Sequence, residues 1–441
     1  MASPVNPSLL TPGRRAGAII VSHSANDAFG FILVSILPLL AARLQLETRE
    51  LALLIALGPL VSGVVQPIAA WIGDRFDTRA FAWVGLLLGS LGIAGIPYAS
   101  SFGELITYQF ITSAGVGVFH PPAAALVGTL AGSRRALWLA LFFIAGMAGS
   151  AGGSLVTPEI IGRLSEQIGV DASIRMLTWT VVPGVVFGAV VLFACSRTPH
   201  RDHLASDRHR SLPAEEQSRR YRAVGLLYLG NVLRFTTNQA LVFLVVAWSG
   251  ALATQRAAPG TTEEQLGLTA SILNGQLQAG MPIGMGVTAL LIGARLRPEH
   301  ERAAMVLLPL VGAVSIAVIP LVEGLGEATV PVAAGLVVIS AAGFGGLFAV
   351  SMGIAQRLLP HRTALASGMM LGGAWCLAFV GPLGAEAVLE WTGLRTAFVA
   401  TAVLLAASGA VSAMLPRDLL IASADRPSGP AQDVESLRGQ E

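Results

Sequence analysis

Residues 72–89 read IGDRFDTRAFAWVGLLLG, and residues 292–309 read IGARLRPEHERAAMVLLP. Each stretch ends one apolar run, crosses a short arginine-bearing turn and enters the next. The likeness does not stand alone: SAGVGVF from Ser113 answers SAAGFGG from Ser340, Arg134 lines up near Arg362, and Asn26 and Asn231 follow Arg-Arg pairs at similar distances. Four correspondences in the same order mark a duplicated unit, and duplicated bundles are a common way to build transporters.

Composition says what solvent that unit faces. Of 441 residues, 54% are hydrophobic and 12% charged, against a charged share of about 25% in soluble domains. So few charges cannot cover a water-exposed surface of this size. Mean hydropathy is +0.68, and the 50 glycines and 24 prolines suit helices in lipid. A net charge of +2 gives no reason to expect nucleic acid or an acidic partner. All 28 basic residues are arginine, a coding bias without mechanistic weight. Cys195 and Cys376 lie far apart in apolar runs and read as small core residues.

A spanning helix needs about 20 mostly apolar residues, and the chain holds twelve such stretches. The first is read as an uncleaved helix and not as a removable signal peptide. Counting arginines in alternate loops puts eighteen on the side of the termini and six on the other, so both termini are expected in the cytoplasm. The expected organisation is an all-α membrane protein of twelve transmembrane helices in two pseudo-symmetric six-helix bundles: a cytoplasmic N-terminus (1–16), a first bundle (17–196), a cytoplasmic central loop (197–222), a second bundle (223–416) and a cytoplasmic, disordered tail (417–441). His200, His203 and His209 in the loop match no zinc spacing beside Cys195 and read as part of a solvated charged linker, so no metal site is expected.

A family resemblance is reached here. Gly73, Asp74, Arg75 and Arg79 between helices two and three resemble the G-x-x-x-D-R-x-G-R-R signature of the major facilitator superfamily, with Asp77 at the usual glycine position and a second-half echo at Gly293, Arg295 and Arg297. Within that superfamily, HSANDAFGFILVSILPLL (His23 to Leu40) and GVGVFHPPAAAL (Gly115 to Leu126) look like the fosmidomycin-resistance group of drug exporters. AGMAGSAGGS (Ala145 to Ser154) only partly matches an efflux-antiporter stripe, Ser150 standing for its proline. The resemblance implies the two-bundle fold, alternating access and export of drug-like compounds.

The residues themselves point to ion chemistry at membrane depth. Asp27 lies about ten residues into helix one, near mid-bilayer at about 1.5 Å per residue, where an ionisable group is a functional hypothesis by default. His23 is one turn earlier on the same face and Asn26 is adjacent. Asp27 is expected to carry a coupling proton with His23 as its neighbour; a permanently paired structural carboxylate is the alternative. Arg234, at similar depth in helix seven, has Asn231 and Asn238 on its face. Its partner is either Asp27 or an anionic group of the substrate; a constant structural ion pair is the bland reading.

His120, ahead of Pro121 and Pro122, is expected to line a cavity where those prolines interrupt helix four. It serves substrate, a proton relay or helix packing. Gln278, with Asn274 and Gln276, and the aromatic Trp375 and Tyr228 complete the expected substrate surface. Gly73, Asp74, Arg75, Arg79 and Arg295 are expected to form a conformational latch on the cytoplasmic side, besides holding positive charge there.

No Walker A loop, HExxH, G-x-S-x-G or dinucleotide fingerprint is present, so no enzyme is expected. The reading is a proton-coupled secondary transporter of the bacterial inner membrane, most simply a monomeric efflux antiporter for a small anionic or polar drug-like compound. Its partners are substrate, protons and the lipid bilayer, and it needs no cofactor beyond the proton gradient. The rivals are proton-coupled movement of an organic anion or siderophore-like metabolite, and a transporter-like sensor that moves nothing.

Overall fold

The computed structural model describes residues 11–73, 76, 79–131, 134–195, 214–359, 362, 366 and 368–424. Among the described residues the chain is helical, and its helices make twelve crossing segments. In the first half these are α1 (Pro12–Ser35) with its short continuation α2 (Leu37–Leu44), then α3 (Thr48–Gly73), α4 (Arg79–Gly95), α5 (Phe102–Leu130), α6 (Arg135–Ile168), and the pair α7 (Val170–Arg175) and α8 (Val181–Cys195). The second half holds α9 (Ala214–Gln255), α10 (Glu263–Arg295), α11 (Pro298–Val318) and the pair α12 (Thr329–Phe344) and α13 (Phe348–Leu358). A π-helical turn at Met369–Gly373 leads into α14 (Ala374–Leu377) and α15 (Val380–Thr392), and α16 (Leu394–Ala413) closes the bundle. Among the described residues, eleven segments are long and apolar enough to cross a membrane. The twelfth, α10, has 33 residues and carries Asn274, Gln276 and Gln278 among its apolar side chains.

The duplication expected from the sequence recurs in backbone geometry. Gly169, between α6 and α7, has φ 81° and ψ 160°; Gly393, between α15 and α16, has φ 87° and ψ 169°. That region of dihedral space is open essentially to glycine alone. Each half therefore turns from its fifth to its sixth segment through the same glycine-only corner.

Several helix ends are closed by arginines. Arg15 reaches the Ala194 carbonyl at the end of α8, Arg220 the Leu358 carbonyl at the end of α13, and Arg302 the Ala413 carbonyl at the end of α16. These are terminal carbonyls that no backbone N–H can satisfy, and a cation there also meets the negative end of the helix dipole. The charges that report topology thus also cap the bundle on the side of the termini.

Three local expectations change. Helix four is not interrupted: α5 runs unbroken through Pro121 and Pro122, because in lipid a continuous helix leaves fewer carbonyls without a donor than a break does. Helix α9 starts at Ala214, so the last nine residues of the expected loop are helical. The first residues of the expected disordered tail form α17 (Arg417–Ala424), held by the buried Leu419 and Leu420 and by an ion pair from Arg219 to Asp418 at 2.7 Å.

The halves meet along two seams. On one, α3 packs against α14 and α15; on the other, α10 packs against α2 and α6. The second seam exploits a break in the first segment. Pro38 has no N–H for the Val34 carbonyl, and the Leu39 N–H goes to Ser271 Oγ at 3.0 Å. The Val34 and Ser35 carbonyls accept instead from Asn274 Nδ2, at 2.7 and 3.1 Å. Two α10 side chains thus satisfy backbone groups that a proline frees in the other half.

Candidate functional site: a histidine and aspartate cluster

His23 and Asp27 stand one turn apart on α1, and α5 brings in His120. His23 Nε2 lies 3.3 Å from Asp27 Oδ2, His120 Nε2 lies 3.3 Å from Asp27 Oδ1, and the two Nε2 atoms are 3.1 Å apart. The other ring nitrogens fix the tautomers. His23 Nδ1 is 2.8 Å from the Phe142 carbonyl and His120 Nδ1 is 2.7 Å from the Val116 carbonyl. A carbonyl oxygen only accepts, so both Nδ1 atoms carry hydrogen and donate. In the neutral rings both Nε2 atoms then present lone pairs, to each other and to the carboxylate. A proton on either ring or on the carboxylate supplies the donor that this arrangement otherwise lacks.

The surroundings are apolar and tight. The His23 ring stacks on Phe142 at 3.8 Å between centroids and faces Phe119 at 5.7 Å. Gly146 of α6 forms the remaining wall, where a Cβ would stand 2.5 Å from Asp27 Oδ2 and from His23 Cε1. Asn26 Nδ2 donates to Asp27 Oδ1 at 3.1 Å, while Asn26 Oδ1 is buried with no partner. His120 is the most open member, its side chain a quarter exposed against 11% for Asp27.

Arg234 is not part of it. The residue is fully enclosed, donating from Nε to the Gly230 carbonyl at 3.1 Å and from Nη1 to Ser351 Oγ at 3.0 Å. Its Nη2 has no hydrogen-bond partner, and among the described residues no carboxylate pairs with it. Of the two partners considered for Arg234, Asp27 is thus not engaged in this conformation.

The remaining expected residues are spread through the helix joints. Asn231 Nδ2 donates to the Met370 carbonyl at 2.6 Å, Asn238 Oδ1 accepts from Gln239 at 3.2 Å, and Gln278 Nε2 donates to the Val242 carbonyl at 2.9 Å. Trp375 Nε1 donates to Ser62 Oγ at 3.1 Å across the α3 seam, and its ring meets Phe235 edge-on at 5.1 Å. Gly73 ends α3, Arg79 begins α4, and Arg295 is exposed in the last turn of α10. Asp74 and Arg75 lie outside the described residues. Sequence reading overlooked Phe142, Gly146, Ser62 and Ser351; the glycine-rich run at 145–154 was the available signal for Gly146.

Residues 19–363 match the model of the Major Facilitator Superfamily, and the chain belongs to that superfamily. It is 27% identical to the fosmidomycin resistance protein of Escherichia coli K12 over 145 residues, 33% of this chain and 36% of that protein. It is also 27% identical over 146 residues to YfnC, an uncharacterised MFS-type transporter of Bacillus subtilis 168, covering 33% of this chain and 36% of that one. Each alignment thus spans about a third of the curated relative's length.

Among solved structures, a bacterial homologue of the human lysosomal transporter Spinster, inward-facing and unoccupied, superposes with a TM-score of 0.68 at 16% identity, over 97% of this chain and all of that one. A bacterial homologue of the human peptide transporters PepT1 and PepT2 follows at 0.64 and 13%, over 94% and 98%. The molecule is a multi-pass membrane transporter, not an enzyme.

Proposed function

We propose that the protein is a proton-coupled antiporter of the bacterial inner membrane, with both termini cytoplasmic, that exports a small anionic or polar compound by alternating access as a monomer. One observation carries the reading: two imidazoles with their lone pairs turned inward converge at 3.3 Å on a carboxylate at membrane depth. A proton is the smallest cation that relieves that convergence. In this reading Asp27, His23 and His120 share it, and Asn26 steadies the carboxylate.

Arg234 supplies the anion preference. Its Nη2 is a buried donor with no partner, which favours a transient acceptor such as a carboxylate or phosphonate over a constant ion pair. Contact needs helix movement, since the guanidinium is enclosed here. Asn231, Asn238, Gln278 and Trp375 line the joints that would move. Gly73, Asp74, Arg75, Arg79 and Arg295 latch the opposite phase of the cycle at the end bearing the termini. The partial likeness to the fosmidomycin resistance protein makes phosphonates the first compounds to try.

The test is transport in proteoliposomes under an imposed pH gradient. Asp27→Asn is expected to abolish gradient-driven movement of the compound while substrate counterflow without a gradient persists. Undiminished gradient-driven transport by that variant refutes proton coupling at Asp27. Direction is read in cells: deletion of an exporter sensitises them to its substrate, whereas deletion of an importer of organic anions protects them or starves them.

A further inference from the structure

The same three side chains have a second property that proton transfer does not require. A transition-metal ion held tetrahedrally by imidazole and carboxylate, at about 2.0–2.2 Å from each donor, sets its ligand atoms roughly 3.3–3.6 Å apart. In the cluster the two Nε2 atoms are 3.1 Å apart, and each lies 3.3 Å from its own oxygen of Asp27, Oδ2 for His23 and Oδ1 for His120. Each histidine offers Nε2 and donates its Nδ1–H to a backbone carbonyl, the outer-shell arrangement that orients metal-ligating imidazoles. The two oxygens of Asp27 face one ring each, an arrangement that suits a carboxylate sharing the ion through both oxygens.

Burial agrees. Gly146 packs its backbone so closely on Asp27 and His23 that a Cβ there would stand 2.5 Å from each. Phe142 and Phe119 shield the cluster, and His120, its side chain a quarter exposed, is its most accessible member. Two imidazoles and one carboxylate with an open site suit zinc and its neighbours and not the hard cations magnesium or calcium, which prefer all-oxygen sites.

We propose that His23, His120 and Asp27 form a three-ligand site for a divalent transition-metal ion, with the fourth position open to water or to an anionic ligand. The site uses the residues of the proton reading but does not depend on transport being proton-driven, and the two are tested separately. Full-length protein carrying no polyhistidine tag is titrated with Co2+ in detergent while visible d–d absorption is followed, and with Zn2+ by calorimetry. One equivalent of Co2+ is expected, with the intense bands of four-coordinate geometry.

Asp27→Asn and His120→Gln are each expected to weaken binding by tenfold or more, and replacement of His200, His203 and His209 together by alanine to leave it unchanged. No saturable binding by the wild-type protein overturns the proposal. So does binding that survives both single variants, or that vanishes with the loop histidines. Both single variants are first matched to wild type by size-exclusion profile, so that a misfolded sample is not scored. Proton coupling is measured in parallel with chelator present, so that loss of either property leaves the other standing.

Discussion

Gly146 decides whether three polar side chains can meet inside an apolar bundle. A Cβ there would stand 2.5 Å from Asp27 Oδ2, so Gly146→Ala is overpacked at the cluster and is expected to cost about 1–3 kcal/mol. Gly152 on the same helix has nothing within 4 Å of its would-be Cβ, and Gly152→Ala is expected to stay within about 0.5 kcal/mol of wild type. Thermal unfolding in detergent compares the two; equal losses would mean that the cluster is not tightly walled. Half of this site was legible. The spacing of His23 and Asp27 follows from the helical period alone. His120 could be flagged as unusual in an apolar run, but no periodicity relates one helix to another, so its place beside Asp27, 97 residues from His23, needed the fold. Arg234 was visible as a charge at depth for the same reason as Asp27. Its companions Ser351 and Gly230 lack any signal in a chain rich in both residue types.

At the level of the helix, apolar run length gave the twelve segments, because lipid permits little else than helix. It could not give their ends, since a helix leaves the bilayer without changing its hydrogen bonding: α9 and α6 extend well beyond their apolar cores. The Pro38 break shows what lies beyond pattern, a local defect repaired by a distant element. Asn274→Ala leaves the Val34 and Ser35 carbonyls without that donor and is expected to destabilise the protein by about 1–3 kcal/mol, with Ser271→Ala milder. A melting profile for Asn274→Ala identical to wild type would show that other donors suffice. The end helix α17 gives a pH prediction. The hydrogen bond from Arg219 holds the Asp418 carboxyl below its ordinary value, so its contribution is present above the ordinary carboxylate range and is lost as pH falls through the lowered value. Amide protection across residues 417–424, corrected for the intrinsic pH dependence of exchange, is therefore expected to fall below roughly pH 4, and Asp418→Asn to show reduced protection at neutral pH as well. High salt narrows the difference, because the pair is exposed.

Over the whole molecule, the α10 seam is one of the two places where the halves are fastened together. Gly267 sits where a Cβ would be 2.8 Å from Ala42 Cβ and 3.0 Å from Leu39 Cα, and Gly275 abuts Ser154 and Pro158. With Asn274 and Ser271 between them, one helix face carries both the small residues that allow contact and the donors that fasten it, all at the end of the bundle opposite the termini. A cavity of about 620 Å3 lies beside this seam, walled by Pro38, Ala41, Thr48, Val246, Leu266 and Leu389 among others; it has no histidine or arginine and is a gap between helix ends, separate from the cluster. If the seam is the closure of alternating access, a wedge should open it without unfolding either half. Gly267→Trp is expected to raise the maleimide reactivity of a reporter Ser271→Cys by roughly tenfold or more, the population shift of about 1.4 kcal/mol or more that separates a shut face from a sampled one. The measurement uses a Cys376→Ala background, and Ser408→Cys, buried within the second half alone, serves as the reference. Reactivity rising at both sites reports general loosening, and reactivity rising at neither reports a face held by contacts elsewhere. Only a rise confined to Ser271 assigns closure to α10.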